Sequence, residues 1–184
     1  EKFWDDNEDE LGLRPDKVEI KIYGDGKYVT SVWTTREDNW QWEVRQLPEF
    51  NSKQELIKYT VQEVVPAGYR PVYDEDSFDI VNELASTEIF VEKKWVDSND
   101  KYKKRPSYVT VILKADGEEV DRAKIYGTDG WSYVFENLPE VDENGKDIKY
   151  TLEEVKVKNY KGSVEGNADD GFIITNKYSD GPDT

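Results

Sequence analysis

The 184-residue chain contains no cysteine and no histidine. Without cysteine no disulfide can staple the fold, and without either residue zinc loses its usual ligands, leaving only carboxylates. The same absences disfavour a turnover enzyme, because the common nucleophile and base pairs draw on Cys and His. No apolar run is long enough for a membrane span or a signal peptide, and neither end carries a sorting signal. Positive charge is scarce, with 25 Lys and Arg against 41 Asp and Glu and a formal net charge of −16. Residues 1–87 carry −10 (20 acidic, 10 basic) and residues 88–184 carry −6 (21 acidic, 15 basic). Nucleic acid and anionic membrane are therefore poor partners. The opening at Glu1-Lys2, inside an expected first strand, reads as a segment of a longer chain.

What is present is the same unit written twice. Lys2-Phe3-Trp4, Arg14-Pro15, Asp25-Gly26, Trp40, Leu47-Pro48, Tyr59-Thr60-Val61-Gln62-Glu63 and Tyr69 return as Lys93-Lys94-Trp95, Arg105-Pro106, Asp116-Gly117, Trp131, Leu138-Pro139, Tyr150-Thr151-Leu152-Glu153-Glu154 and Tyr160, each 91 residues on. A three-residue insertion then sets Phe78-Asp79-Ile80-Val81-Asn82 against Phe172-Ile173-Ile174-Thr175-Asn176. Two copies at so long a period mean tandem domains, expected at 1–87 and 88–184, since solenoid repeats are shorter and need at least three copies. A domain of this size has a modest core and gains from a covalent staple.

Apolar spacing decides between strand and helix. Val18 to Tyr23, Val109 to Leu113 and Trp131 to Phe135 alternate with period two, in residues that suit a half-buried sheet. Asp-Gly, Asn144-Gly145 and Leu-Pro signals separate such runs. About seven short strands per copy predict an all-β chain of two tandem Greek-key β-sandwiches. Glu83 to Glu92 hold no Gly or Pro, so the joint between copies is expected to be short and semi-rigid.

The same parity rule applied to the repeated polar residues yields chemistry. Glu63 shares a face with Val61 and Tyr59, and Glu154 with Leu152 and Tyr150. Asn82 lines up with Ile80 and Phe78, Asn176 with Ile174 and Phe172, Lys2 with Trp4, and Lys93 with Trp95 and Val91. Singly, a Lys, Glu or Asn at such a place is ordinary surface or turn chemistry. Recurrence of all three on the core-facing parity of both copies reverses that reading, whereas Gln62, Lys94 and Glu153 fall on the solvated faces. A buried Lys or Glu must be neutralised, paired or consumed. Desolvation favours a neutral amine and a protonated acid together, so the amine can attack the Asn carbonyl while the acid polarises it and relays a proton to departing ammonia. Effective molarities of ~10⁵ M or more let such a sluggish amide exchange run once. The expected product is a Lys–Asn isopeptide bond.

Together these motifs resemble the Cna B-type domain, the repeated module of Gram-positive surface adhesins and pilins, over residues 1–82 and 91–178. The resemblance implies a transthyretin-like or inverse-immunoglobulin sandwich with a Lys–Asn bond between first and last strands, promoted by the Glu. On this chain that gives Lys2, Glu63 and Asn82, then Lys93, Glu154 and Asn176, with no cofactor and no metal. Copy one departs in having Glu83 after Asn82, where copy two has Lys177-Tyr178.

Asp5-Asp6-Asn7-Glu8-Asp9 spaces its oxygens as calcium loops do, but lacks their glycine and distal Glu, so a hydrated acidic loop is the competing reading. Trp4 with Trp95 and Trp40 with Trp131 read as core, while Trp33 and Trp42 align with Lys124 and Tyr133 of the other copy and are candidates for an exposed platform. Three function classes follow: an extracellular adhesin stalk anchored to the cell wall, with neighbouring domains of the same protein as its partners; a pilus-shaft subunit; and a carbohydrate- or matrix-binding module.

Overall fold

Val18, Ile20 and Ile22 alternate with Glu19 and Lys21, a period that turns one face of an extended chain toward a core. In the computed structural model, which describes residues 1–74 and 76–179, this stretch is a strand whose three apolar members are buried. The described residues hold thirteen strands and, as their only helical turn, a 3-10 turn at Gly127–Asp129. The chain divides into two compact units, Glu1–Ser86 with Pro139–Asp147, and Thr87–Leu138 with Ile148–Thr184.

The first unit contains β1 (Lys2–Asp5), β2 (Lys17–Gly24), β3 (Lys27–Thr35), β4 (Tyr59–Glu63), β5 (Tyr69–Tyr73) and β6 (Ile80–Leu84). They form two three-stranded sheets ordered β3-β2-β4 and β1-β6-β5. Val18, Ile20 and Ile22 from the first and Ile80 from the second share one core with Trp40, against which Trp4, Trp42, Val61 and Tyr59 pack. The second unit contains β7 (Ser86–Val96), β8 (Tyr108–Ala115), β9 (Glu118–Tyr126), β10 (Ser132–Pro139), β11 (Tyr150–Glu154), β12 (Tyr160–Asn167) and β13 (Gly171–Tyr178). Its sheets run β11-β8-β9 and β10-β7-β13-β12, with Val91, Val111, Leu113, Ile125, Phe135, Leu152 and Ile174 in the core between them. Each unit is thus a β-sandwich.

Two features place the site. First, the opening and closing strands of each domain are parallel neighbours: Lys2 lies opposite Ile80 and Trp4 opposite Asn82, while Lys93 lies opposite Ile174 and Trp95 opposite Asn176. Second, the hairpins that lead into the other sheet turn on Asp25-Gly26 and Asp116-Gly117, with both residues of each pair at positive φ. That geometry matches the right-handed twist of the flanking strands. The Asp side chains then accept the backbone N–H of Lys58 and Lys149 at 3.0 Å, tying down the approach to the strands that carry Glu63 and Glu154.

Copy one departs from expectation twice. Its stretch Gln41–Pro48, counterpart of β10, forms no strand. Phe78, expected to share the inward face of Asn82, instead sits at φ 61° in a turn closed by its N–H on the Asp74 carbonyl and is 40% exposed. In copy two the equivalent Phe172 is buried within β13. Trp131 likewise falls outside the alternating strand, at φ 60° just before β10.

Candidate functional site: a buried Lys, Glu and Asn in each domain

Neighbours in a parallel pair point to the same side of the sheet, so Lys2 and Trp4 on β1 and Ile80 and Asn82 on β6 face inward together. Glu63 comes from the opposite sheet, at the end of β4, paired across from Ile20. The three polar side chains meet where the two sheets pack. Lys2, Glu63 and Asn82 are all buried, as are Lys93 and Asn176, and only 6% of the Glu154 side chain is exposed.

In the first domain Lys2 Nζ donates to Glu63 Oε2 at 3.0 Å and lies 3.0 Å from Oε1. Asn82 Nδ2 donates to Oε1 at 2.9 Å. A single carboxyl thus touches both the amine and the amide nitrogen. The second domain repeats the cluster more loosely. Asn176 Nδ2 donates to Glu154 Oε1 at 3.1 Å, while Lys93 Nζ sits 3.6 Å from that oxygen and donates to the Lys94 carbonyl at 3.1 Å. In both domains the Asn Oδ1 is buried without a hydrogen-bond partner among the described residues. An orphaned buried carbonyl oxygen is rare and invites a functional explanation.

Burial also sets the charge states. Desolvation lowers the Lys2 and Lys93 amines from 10.5 to about 8, a fall that the adjacent Glu63 and Glu154 partly resist. Desolvation raises both Glu carboxyls, opposed by the same lysines and by the Asn hydrogen bonds. Amine and acid are therefore moved toward each other, which brings the neutral pair within thermal reach.

A second buried network beside the site escaped the sequence reading. Asp6 is buried, not hydrated: Arg14 grips it through Nε at 2.7 Å and through a second guanidinium nitrogen, and the Tyr69 hydroxyl donates to it at 2.9 Å. Asp97, Arg105 and Tyr160 repeat the arrangement at 2.7 and 3.0 Å. The guanidinium beside each Asp holds its carboxyl below the usual range. Trp4 and Trp95 join the two networks, each with the site lysine over its ring at 4.3 and 4.1 Å and the arginine at 5.4 Å. The missed signal was the recurrence of Asp6 as Asp97 and of Asp9 as Asp100, hidden in an acidic stretch whose other members differ. Asp9 is engaged as well, accepting from the Arg14 N–H at 3.0 Å and from Arg36 at 3.0 Å. The loop proposed for calcium spends these two carboxylates on arginine and backbone.

Of the two candidate platform residues, Trp33 is 51% exposed with Lys17 Nζ 4.5 Å above its ring, whereas Trp42 is partly buried against the core. A platform of both is thereby excluded.

Residues 1–83 and 89–177 each match the family model of the Cna protein B-type domain. A collagen adhesin of Staphylococcus aureus is 35% identical over 183 residues, covering 97% of this chain and 15% of the adhesin. A solved B repeat unit of the collagen-binding surface protein of Staphylococcus aureus is 33% identical, with a TM-score of 0.49 and coverage of 97% of this chain and 96% of that one. The pilus backbone of Streptococcus pneumoniae aligns at 12% identity and a TM-score of 0.40, over 92% of this chain and 44% of that chain.

Proposed function

Because this chain belongs to the Cna protein B-type domain family, we propose that it is a structural spacer of a bacterial surface adhesin, closed by a self-made Lys–Asn isopeptide bond in each domain. The domains are taken as 1–87 and 88–184. The observation that carries the reading is the buried Glu carboxyl that contacts both the Lys amine and the Asn amide in one domain and, with a longer amine contact, in the other. In the proposed reaction the neutral amine of Lys2 attacks Asn82 Cγ. The Nζ–Cγ bond forms and the Cγ–Nδ2 bond breaks. Glu63 takes a proton from Nζ and returns one to Nδ2, so ammonia leaves and the Glu ends unchanged. Lys93, Glu154 and Asn176 do the same in the second domain. Each domain turns over once.

The stalk role is supported by likeness to a surface adhesin of which this chain spans 15%. The natural setting is then outside the cell, within a longer wall-anchored chain, with neighbouring domains as partners. A pilus shaft uses the same physics and would in addition need an exposed lysine and a sorting signal for polymerisation. A role in binding matrix or carbohydrate would rest, of the two candidate tryptophans, on Trp33.

Intact mass of the folded chain tests the reading directly. The expected mass is two ammonias below that of the sequence. The unmodified mass would refute the bonds, and loss of a single ammonia would confine the chemistry to one domain.

A further inference from the structure

The two sites differ in what covers them. In the first domain Pro71 on β5 lies directly opposite Asn82, so its ring stands on the same face as the carboxamide. Two residues on, the Tyr73 hydroxyl accepts the Glu63 N–H at 3.1 Å, and the Glu63 side chain is fully screened from solvent. In the second domain these positions are Gly162 and Val164. Gly162 lies opposite Asn176, and a Cβ there would stand 2.8 Å from Asn176 Oδ1 and 2.8 Å from Glu154 Oε2. The missing side chain lets these two oxygens pack close against the strand, beside a surface groove of about 380 Å³ lined by Leu152, Glu154, Val157, Gly162 and Val164. The groove thus reaches Glu154, whose side chain is 6% exposed where that of Glu63 is not exposed at all. Directly behind Gly162 sits the buried Asn176 Oδ1, without a partner among the described residues.

We propose that Gly162 makes Asn176 and Glu154 an amide-exchange centre open to ammonia and small primary amines from solution, an activity that Pro71 and Tyr73 deny to the first domain. The inference rests on the reading that the Glu activates the Asn amide. The incoming neutral amine enters by the groove and attacks Asn176 Cγ. A carbon–nitrogen bond forms to it, the Cγ–Nδ2 bond breaks, and Glu154 carries one proton from the incoming nitrogen to the leaving one. Methylamine gives N-methylasparagine and free ammonia, with no change of oxidation state. In the unmodified protein Lys93 wins by proximity, and the groove serves as the exit for the ammonia it displaces.

The test uses the full chain carrying Lys2→Met and Lys93→Met, which removes both internal amines while filling their apolar channels. The folded protein is incubated with methylamine at mildly alkaline pH, and peptides spanning Asn82 and Asn176 are sequenced by mass spectrometry. A methylene gain is expected at Asn176 and not at Asn82. Adding Glu154→Gln should lower it by about 100-fold or more, the scale of a lost acid–base group. Gly162→Ala should reduce it to the level of Asn82, and Pro71→Gly with Tyr73→Val should open Asn82 to labelling. That last arm decides the matter if Gly162→Ala fails to fold. Equal labelling at both asparagines, no labelling at either, or labelling of Asn176 indifferent to Glu154 and to the covering residues would overturn the proposal. An ammonia loss in the parent chain combined with no labelling would overturn this inference alone, leaving the crosslink intact.

Discussion

Glu63→Gln separates the proposed bond from the fold that makes it. The substitution keeps the shape of a side chain that is wholly buried but removes the group able to move the proton. The Lys2–Asn82 bond closes a loop of about 80 residues, and the chain-entropy relation used for disulfides then assigns it about 4.5 kcal/mol at 25 °C through constraint of the unfolded state. In a domain this size each kcal/mol moves Tm by about 4–8 °C, so the first domain should melt about 20–35 °C lower in the variant. Calorimetry of the full chain reads this directly, with the second domain's transition as internal reference and intact mass confirming that one ammonia has been retained. Lys2→Met serves as control. It removes the same bond without leaving an amine buried beside a neutral amide, and should give a similar loss. A variant that retains its ammonia yet melts within a few degrees of the parent would refute the entropic argument. A Glu63→Gln chain that still loses two ammonias would refute the role given to Glu63.

Other consequences are open to measurement. Under tension applied through its ends the parent chain should show no full-length domain extension, whereas Lys2→Met and Lys93→Met should each restore one step; full extension of the parent would remove the mechanical basis of the spacer. Arg14→Leu, placed in the Lys2→Met background, strands the buried Asp6 and should cost about 3 kcal/mol in urea at neutral pH. Because Arg14 depresses the Asp6 carboxyl, its stabilisation is complete above the ordinary value of 3.8 and is lost as pH falls through the lower folded value, so the difference should shrink only in strong acid. In Asn82→Ala, which cannot crosslink, Lys2 at about 8 binds fewer protons folded than unfolded up to 10.5. Stability should therefore rise with pH across that window, while the raised Glu63 makes it fall as pH climbs past 4.5. A flat profile would show that these groups are not desolvated.

The sandwich was legible because alternation is a local signal: Val18, Ile20 and Ile22 announce their buried face within six residues. Duplication made the site legible too, since a Lys, a Glu and an Asn repeated on inward parity cannot be ascribed to chance surface chemistry. Asp6 was harder. Its burial depends on Arg14, eight residues on, folding back over it and on Tyr69 arriving from a distant part of the chain, whereas the sequence shows only an acidic run that looks solvated. Phe78 failed for the opposite reason, because parity holds only while the chain stays extended and a turn anchored on Asp74 interrupts it. The uncovered face at Gly162 was invisible in principle, as it depends on which residue of β12 stands opposite Asn176.

The register of β1 against β6 also bears on how the domain meets proteases. A bond from Lys2 to Asn82 turns nearly all of the first domain into a closed ring. Lys53 lies in an exposed turn inside that ring, an evident place for a first cut. Cleavage there would open the ring and add one water, yet release nothing, because the two pieces remain joined through the side chains. Only a second cut within the same ring could free a fragment. A nicked domain would accordingly remain a continuous tether between whatever precedes Lys2 and whatever follows Asn82.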